Sequence, residues 1–281
     1  MKRLVLIDGH AVLYRAYYAL PKTLTTSKDE VVNAVYGFAR MLFKIFSDLK
    51  PTHLAVAFDL PKPTFRHKIF KEYQATRPKM AEDLASQIEP IHEMVKAFDI
   101  PIFEKAGFEA DDVIGALAKK ARVDEVVVVT GDRDIFQLVD KKTKVYALKR
   151  GISGGELVGE KRVEEILGVK PYQIVDYKAL AGDPSDNYPG VSGIGPGTAK
   201  KLLKQFGSLE KIMKKLKKEE REKALLSKKL AKIETNVPLE FELDKCKLSY
   251  DKGKVKKIFE KFEFSSLMKE LEKKEEQMRL L

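Results

Sequence analysis

Nine carboxylates stand where they could share one task. Three apolar runs lead to them. Leu4-Val5-Leu6-Ile7 ends in Asp8, Leu54-Ala55-Val56-Ala57-Phe58 ends in Asp59, and Val126-Val127-Val128-Val129-Thr130-Gly131 ends in Asp132, with Asp134 following after Arg133. Glu109, Asp111 and Asp112 come just before Val113, Ile114, Leu117 and Ala121, which recur at helical spacing. Asp183 and Asp186 lie in Gly182-Asp183-Pro184-Ser185-Asp186-Asn187. Taken singly, such acids are ordinarily caps, turn formers or surface charges. Gathered in one cleft, they would repel one another and hold protons unless divalent cations neutralised them. Oxygen-only ligation favours Mg²⁺ or Mn²⁺ over zinc. Two such ions about 4 Å apart can activate water and stabilise both oxygens of an in-line phosphoryl displacement.

Elements suited to bring these acids together are visible in the chain. Four consecutive valines without polar alternation read as a strand buried on both faces. In an open parallel sheet, ligands bind beyond the carboxyl ends of the strands, where the acids would lie. Helices are predicted after Asp8 through Leu13, Tyr14, Tyr17 and Tyr18, over 31–49, and over 83–98, where Pro90 should kink or split the element. A short strand at 100–103, a helix starting at 135–138 and a fifth strand at 144–148 complete the alternation of a doubly wound α/β sheet. From Gly159 the strands stop, and helices run on to 254–262, followed by a polar tail.

Two further stretches look suited to polyanions. Residues 61–80 mix Lys62, Arg66, Lys68, Lys71, Arg77 and Lys79 with Phe65, Phe70 and Tyr73, so phosphates and exposed bases both have partners. Gly193, Gly195 and Gly197 precede a helix and would let backbone N–H groups approach a phosphate. Lys200 and Lys201 fall in the first turn of that predicted helix, where cations oppose the dipole unless an anion binds. No strand precedes these glycines, which argues against a dinucleotide fingerprint. No nucleophile elbow or Walker loop occurs, and His10, His53, His67 and His92 are too scattered for a metal pair.

Composition narrows the class. The 281 residues are 44% hydrophobic, enough for one large domain or two modest ones. No run of about 18 apolar residues occurs, and the N-terminus lacks the features of a signal peptide. A lone Cys246 excludes internal disulfides and cysteine-ligated zinc, and suits a reducing cytosol. The net charge of +11 is uneven: residues 1–195 carry 29 Lys+Arg against 27 Asp+Glu, whereas residues 196–281 carry 24 against 15. A basic C-terminal part suits a polyanionic partner.

These motifs, in this order over essentially the whole chain, resemble the 5′-nuclease family. That flap-endonuclease-like group includes the 5′→3′ exonuclease domain of bacterial DNA polymerase I. The resemblance rests on Leu6-Ile7-Asp8-Gly9-His10, Ala57-Phe58-Asp59, Glu109-Ala110-Asp111-Asp112, Thr130-Gly131-Asp132-Arg133-Asp134, Gly182-Asp183-Pro184-Ser185-Asp186-Asn187 and the glycine-rich stretch from Gly190 to Lys201. It implies a PIN-like α/β core with a mostly parallel sheet over 1–158, and a helical arch near 60–80. It also implies a helical DNA-binding region over 159–281 containing a helix–hairpin–helix at about 172–206. The implied activity is structure-specific 5′→3′ exonuclease and flap-endonuclease hydrolysis of DNA and RNA primers with two Mg²⁺ ions, Mn²⁺ substituting, in primer removal and repair.

By carry-over, Asp8, Asp59, Glu109 and Asp111 hold one ion. Asp111, Asp132, Asp134 and Asp183 or Asp186 hold the other, with Asp112 in direct or water-mediated support. Tyr73 and Arg77 correspond to arch positions that stack on an unpaired nucleotide and stabilise the scissile phosphate, and Arg15 contacts phosphate. Gly193, Gly195, Gly197, Lys200 and Lys201 grip the duplex backbone, with K⁺ at the hairpin. The implied partners are nicked, branched or 5′-flap DNA and RNA–DNA primer junctions, with a separate DNA polymerase. A monomeric, standalone, cytoplasmic nuclease at the bacterial nucleoid is expected. One departure stands out: where relatives carry lysine after the arch tyrosine, this chain has Gln74. The hairpin argues against a single-strand ribonuclease, and the full set of strand-end acids argues against an inactive DNA-binding factor.

Overall fold

The computed structural model describes residues 1–149, 151–152 and 154–279. The chain runs β1 (Arg3–Asp8), α1 (Gly9–Ala19), α2 (Asn33–Leu49), β2 (His53–Ala57), α3 (Phe65–Ile69), α4 (Glu82–Ala85), α5 (Ile88–Ala97), β3 (Ile102–Phe103), α6 (Ala110–Lys120), β4 (Glu125–Thr130), β5 (Thr143–Leu148) and β6 (Gly155–Val158). Helices follow: α7 (Glu160–Leu167), α8 (Ile174–Ala181), α9 (Pro196–Phe206), α10 (Leu209–Met213), α11 (Lys218–Ala231), α12 (Lys252–Lys261) and α13 (Ser265–Arg279). The last two residues of the 159–281 region lie outside the described residues.

The sheet has the order β3-β2-β1-β4-β5-β6. All its pairings are parallel except the last, where β6 runs antiparallel to β5. Alternate strand residues point to opposite faces. Val5, Ile7, Leu54, Val56, Val127 and Val129 therefore join one buried cluster with α1, α2, α5 and α12. Leu4, Leu6, Ala55, Ala57, Val126 and Val128 join the other with α6, α8 and α9. Both faces are covered, which is why these strands read as unbroken apolar runs. Truncating a fully buried member such as Leu6 would cost about 2–5 kcal/mol.

Pro90 splits the predicted helix. The chain breaks at Ser86 and Gln87, and α5 restarts with Pro90 in its first turn, where no N–H is needed. Three expectations change. Residues 134–138 form a 3-10 turn and not the start of an α-helix. An antiparallel β6 follows β5. The polar tail is helical in α13, anchored by buried Leu267 and Leu271. Among the described residues, no helix is long and apolar enough to cross a membrane.

Candidate active site

Because β2, β1 and β4 are neighbouring parallel strands, their carboxyl ends share one edge, and Asp8 is paired with Ala57 while Ile7 is paired with Val129. Asp8 caps α1, its Oδ1 accepting from Ala11 N–H at 3.0 Å. Its Oδ2 accepts from the buried Thr130 hydroxyl at 2.7 Å, and the same Thr130 oxygen accepts from Asp132 N–H at 3.0 Å. Thr130 thus ties the end of β1 to the turn after β4. Asp59 Oδ1 accepts from Ala110 N–H at 2.7 Å, fastening the end of β2 to the start of α6. Glu109 is the N-cap of α6 and Asp111 lies in its first turn. Asp8, Asp59, Glu109, Asp111, Asp132, Asp134 and Asp186 line a single cleft of about 380 Å³.

The electrostatics show that crowding. Burial, opposed by the hydrogen bonds of Ala11 and Thr130, raises the Asp8 carboxyl to about 6. Burial outweighs the pull of Arg66 and raises Glu109 to about 7. Asp111 is driven well above the carboxylate range by burial and then by the charges of Asp132, Asp8, Asp59 and Asp134. Burial and Asp132 also lift Asp134 to about 6 against the pull of Lys178. Asp59 moves the other way: burial would raise it, but His10, the Ala110 N–H and Arg77 together hold it low.

Asp134, Asp183 and Asp186 come from a second framework. Among the described residues, they form the one group of three potential ligands whose oxygens all lie within 4.8 Å of one another. Asp183 follows Gly182, whose φ of 72° and closeness to Pro189 leave no room for a side chain. Lys178, on the last turn of α8, reaches both Asp134 and Asp183, at 2.5 Å from the latter. Burial opposes its charge, yet the two carboxylates raise its pKa. Asp186 is capped by the segment after α3: Arg77 Nη2 at 2.6 Å, Gln74 Nε2 at 3.2 Å and the Tyr73 hydroxyl at 3.2 Å.

Most of the nine acids come together; Asp112 does not. It is fully buried and bonds bidentately to Arg66 at 2.7 and 2.8 Å, and it also accepts from Glu109 N–H and Glu234 N–H. With those oxygens occupied, it orders the start of α6. Tyr73 also departs from expectation. Its ring is 3% exposed and packs edge-on to His67 at 5.4 Å, so it offers no stacking face in this arrangement.

Lys200 and Lys201 lie in the second turn of α9 and not the first, because the helix starts at Pro196. Lys200 leans 5.9 Å over the Tyr177 ring, and Lys201 is exposed. Gly193 needs its glycine, with φ at 79°, whereas Gly195 and Gly197 have open space where a side chain would stand. Arg15 lines a neighbouring cleft of about 1070 Å³ with Tyr14, Tyr18, Arg133 and Lys178.

Sequence reading missed the roles of Arg66, Thr130 and Lys178. Arg66 was visible only as one basic residue among several, and Lys178 meets, besides the nearby Asp183, Asp134 from a distant segment.

The acids lining the cleft offer carboxylate oxygens, and burial raises the pKa of Asp8, Glu109 and Asp111. That chemistry fits hard divalent cations.

Comparison with known proteins agrees with this geometry. Residues 3–168 match the family described as 5′-3′ exonuclease, N-terminal resolvase-like domain, and residues 169–254 match 5′-3′ exonuclease, C-terminal SAM fold. The chain is 40% identical over 283 residues to a 5′-3′ exonuclease of Aquifex aeolicus, covering 97% of this chain and 96% of that protein. It is 44% identical over 284 residues to DNA polymerase I of Bacillus subtilis, covering 96% of this chain but 32% of that protein. The chain therefore spans about a third of the length of that polymerase. In fold it is similar to a bacteriophage T5 flap endonuclease solved with DNA and metal ions, with a TM-score of 0.67, 21% identity and coverage of 83% and 89%. It is also similar to the catalytic core of Rad2 in complex with DNA substrate, with a TM-score of 0.57, 15% identity and coverage of 93% and 87%. Its sequence, its sheet and its acidic cleft together place this chain in the 5′-3′ exonuclease family.

Proposed function

We propose that the protein is a structure-specific 5′ nuclease that hydrolyses phosphodiester bonds at 5′ ends, nicks and flaps of DNA and at RNA primer junctions. The observation that carries this reading is the cleft itself, where carboxyls forced above their ordinary pKa stand beside a trio of oxygens within 4.8 Å of one another. Asp8, Asp59, Glu109 and Asp111 would hold one Mg²⁺. Asp134, Asp183 and Asp186, with Asp132 and Asp111 alongside, would hold the second, and Mn²⁺ would serve in its place. When bound, the ions would neutralise the acids, activate water and stabilise the leaving oxygen.

The protein's own groups do the rest. The α/β core over 1–158 presents the acids, and the helical region over 159–281 grips duplex. The open backbone at Gly193, Gly195 and Gly197 admits a close phosphate approach, aided by Lys201 and by K⁺ at the turn. Arg15, half-hidden beside the cleft, meets a neighbouring phosphate. Arg77 moves from Asp186 to the scissile phosphate as the segment near 60–80 rises, which also frees Gln74 and uncovers the Tyr73 ring for a base. Water attacks phosphorus, the 3′ oxygen leaves with a proton, and the product keeps its 5′-phosphate. Primer removal and repair at the bacterial nucleoid, as a monomer beside a DNA polymerase, is the setting this chemistry suits.

A flap-cleavage assay with and without Mg²⁺ tests the reading. Cleavage should need the ion and fall by about 10³-fold in Asp132→Ala/Asp134→Ala. Cleavage that survives that double substitution would contradict the metal assignment.

A further inference from the structure

One buried polar group beside the second carboxylate cluster has no task in the scheme above. Tyr188 is 2% exposed, and its hydroxyl has no hydrogen-bond partner among the described residues. Its ring packs with Tyr73, Leu230 and Ala231, a setting that phenylalanine would fill equally well. A buried hydroxyl without a partner is costly, and native proteins rarely keep one unless something else meets it.

The backbone shows where the side chain belongs. Asp183 and Tyr188 face each other across an isolated antiparallel bridge. Asp183 N–H donates to Tyr188 O at 2.9 Å, and Tyr188 N–H donates to Asp183 O at 3.1 Å. Directly opposed residues of such a pair project their side chains to the same side. The Tyr188 phenol therefore shares a side with the Asp183 carboxylate, and both line a cavity of about 420 Å³ with Phe70 and Asn187. The phenol carries one O–H, which it can donate to a carboxylate oxygen.

The acids are meanwhile taken by other donors. Lys178 holds Asp134 and Asp183, Ser185 donates to Asp183, and Arg77, Gln74 and Tyr73 hold Asp186. An ion entering the trio must displace some of these contacts and turn the carboxylates.

We infer that Tyr188 is a positioning residue of the second ion site, whose hydroxyl donates into the Asp134–Asp183–Asp186 trio once those carboxylates close on a divalent cation. This rests on the two-ion reading proposed above. A donor of this kind fixes ligand orientation, and its loss typically weakens metal affinity by about 10–100-fold.

The test is Tyr188→Phe in the full chain, titrated with Mn²⁺ alone by calorimetry, with melting of the metal-free protein in parallel. The parent should bind two ions. The variant should bind one of them about tenfold more weakly and the other unchanged, while its metal-free melting temperature stays level or rises because an unmet hydroxyl is gone. Two unchanged affinities would overturn the inference and leave the two-ion reading standing. A fall in both affinities together with the melting temperature would also overturn it, as a packing defect. A parent that binds no Mn²⁺ would overturn the two-ion reading and this inference with it.

Discussion

The two groups of carboxylates solve one problem, crowded negative charge, by different means. Asp8, Asp59, Glu109 and Asp111 stand on strand ends and a helix start, fixed by backbone N–H groups and Thr130. Apart from Asp59, held low by His10, burial raises their pKa values, that of Glu109 even beside Arg66. Asp134, Asp183 and Asp186 come from a 3-10 turn and a glycine-bounded loop, and are met by the protein's own cations, Lys178 and Arg77. A rigid edge can tolerate protonated acids in place. A site built on loops needs bound cations to stay assembled. Metal uptake should therefore depend on pH in both groups, since Asp134 also rises to about 6, and in the second on displacement of side-chain cations as well.

The largest way to break that contrast lies beneath the first group. Arg66 is almost fully buried and meets Asp112, Glu109 and the carbonyls of Leu230 and Lys232. Arg66→Met should destabilise the fold by about 3–5 kcal/mol in urea unfolding, because Asp112 is left charged and buried. Adding Asp112→Leu should recover most of that loss; no recovery would mean that Arg66 acts elsewhere.

Next in size, Lys178→Met removes the ammonium between Asp134 and Asp183. Mn²⁺ affinity at the trio should rise by about tenfold, since a unit charge a few ångströms away contributes on the order of 1–4 kcal/mol. The metal-free variant should melt lower, and Mn²⁺ should close the gap. Weaker Mn²⁺ binding would contradict the view of Lys178 as a competing cation.

The pH effect is smaller. Asp8 and Asp134 titrate at about 6 and Glu109 at about 7, above their values in an unfolded chain. Between about pH 4 and pH 7 the folded state therefore holds more protons than the unfolded one, and stability falls as pH rises. Asp59 and Asp183 shift downward and titrate below that window. The metal-free protein should melt a few degrees lower at about pH 7.5 than at about pH 5, while stabilisation by Mn²⁺ should grow over the same range. A flat metal-free profile would count against proton storage by Asp8, Glu109 and Asp134.

The smallest effect concerns the loop that caps the second group. Gln74 sits at φ 57° and bonds to Asp186 through a neutral amide. Gln74→Lys should raise the single-turnover cleavage rate by about threefold by adding charge near the phosphate. An unchanged or lower rate would show that Arg77 already supplies what is needed.

Strand ends were the easiest feature to find in the chain, because a doubly covered parallel strand writes itself as an apolar run and its edge acid follows within two residues. That is why Asp8, Asp59 and Asp132 group together in the sequence, with Glu109 and Asp111 joining them at the start of a helical repeat. Asp112 reads in sequence as one more candidate ligand because it adjoins Glu109 and Asp111; only the fold shows its bidentate contact with Arg66. Lys178 and Tyr188 carry no local mark, since their partners are reached through helix packing and a backbone bridge. The start of α9 was misplaced because Pro196, and not the later lysines, begins it.

By itself, the sequence determined the type of sheet, the edge on which the acids gather and the kind of ion that oxygen ligands admit, because these follow from side-chain period and donor chemistry along a continuous run. Tertiary structure alone decided which acids remain free and which are already paired, because that depends on charges brought from distant segments to within about 3 Å, the range over which a hydrogen bond forms.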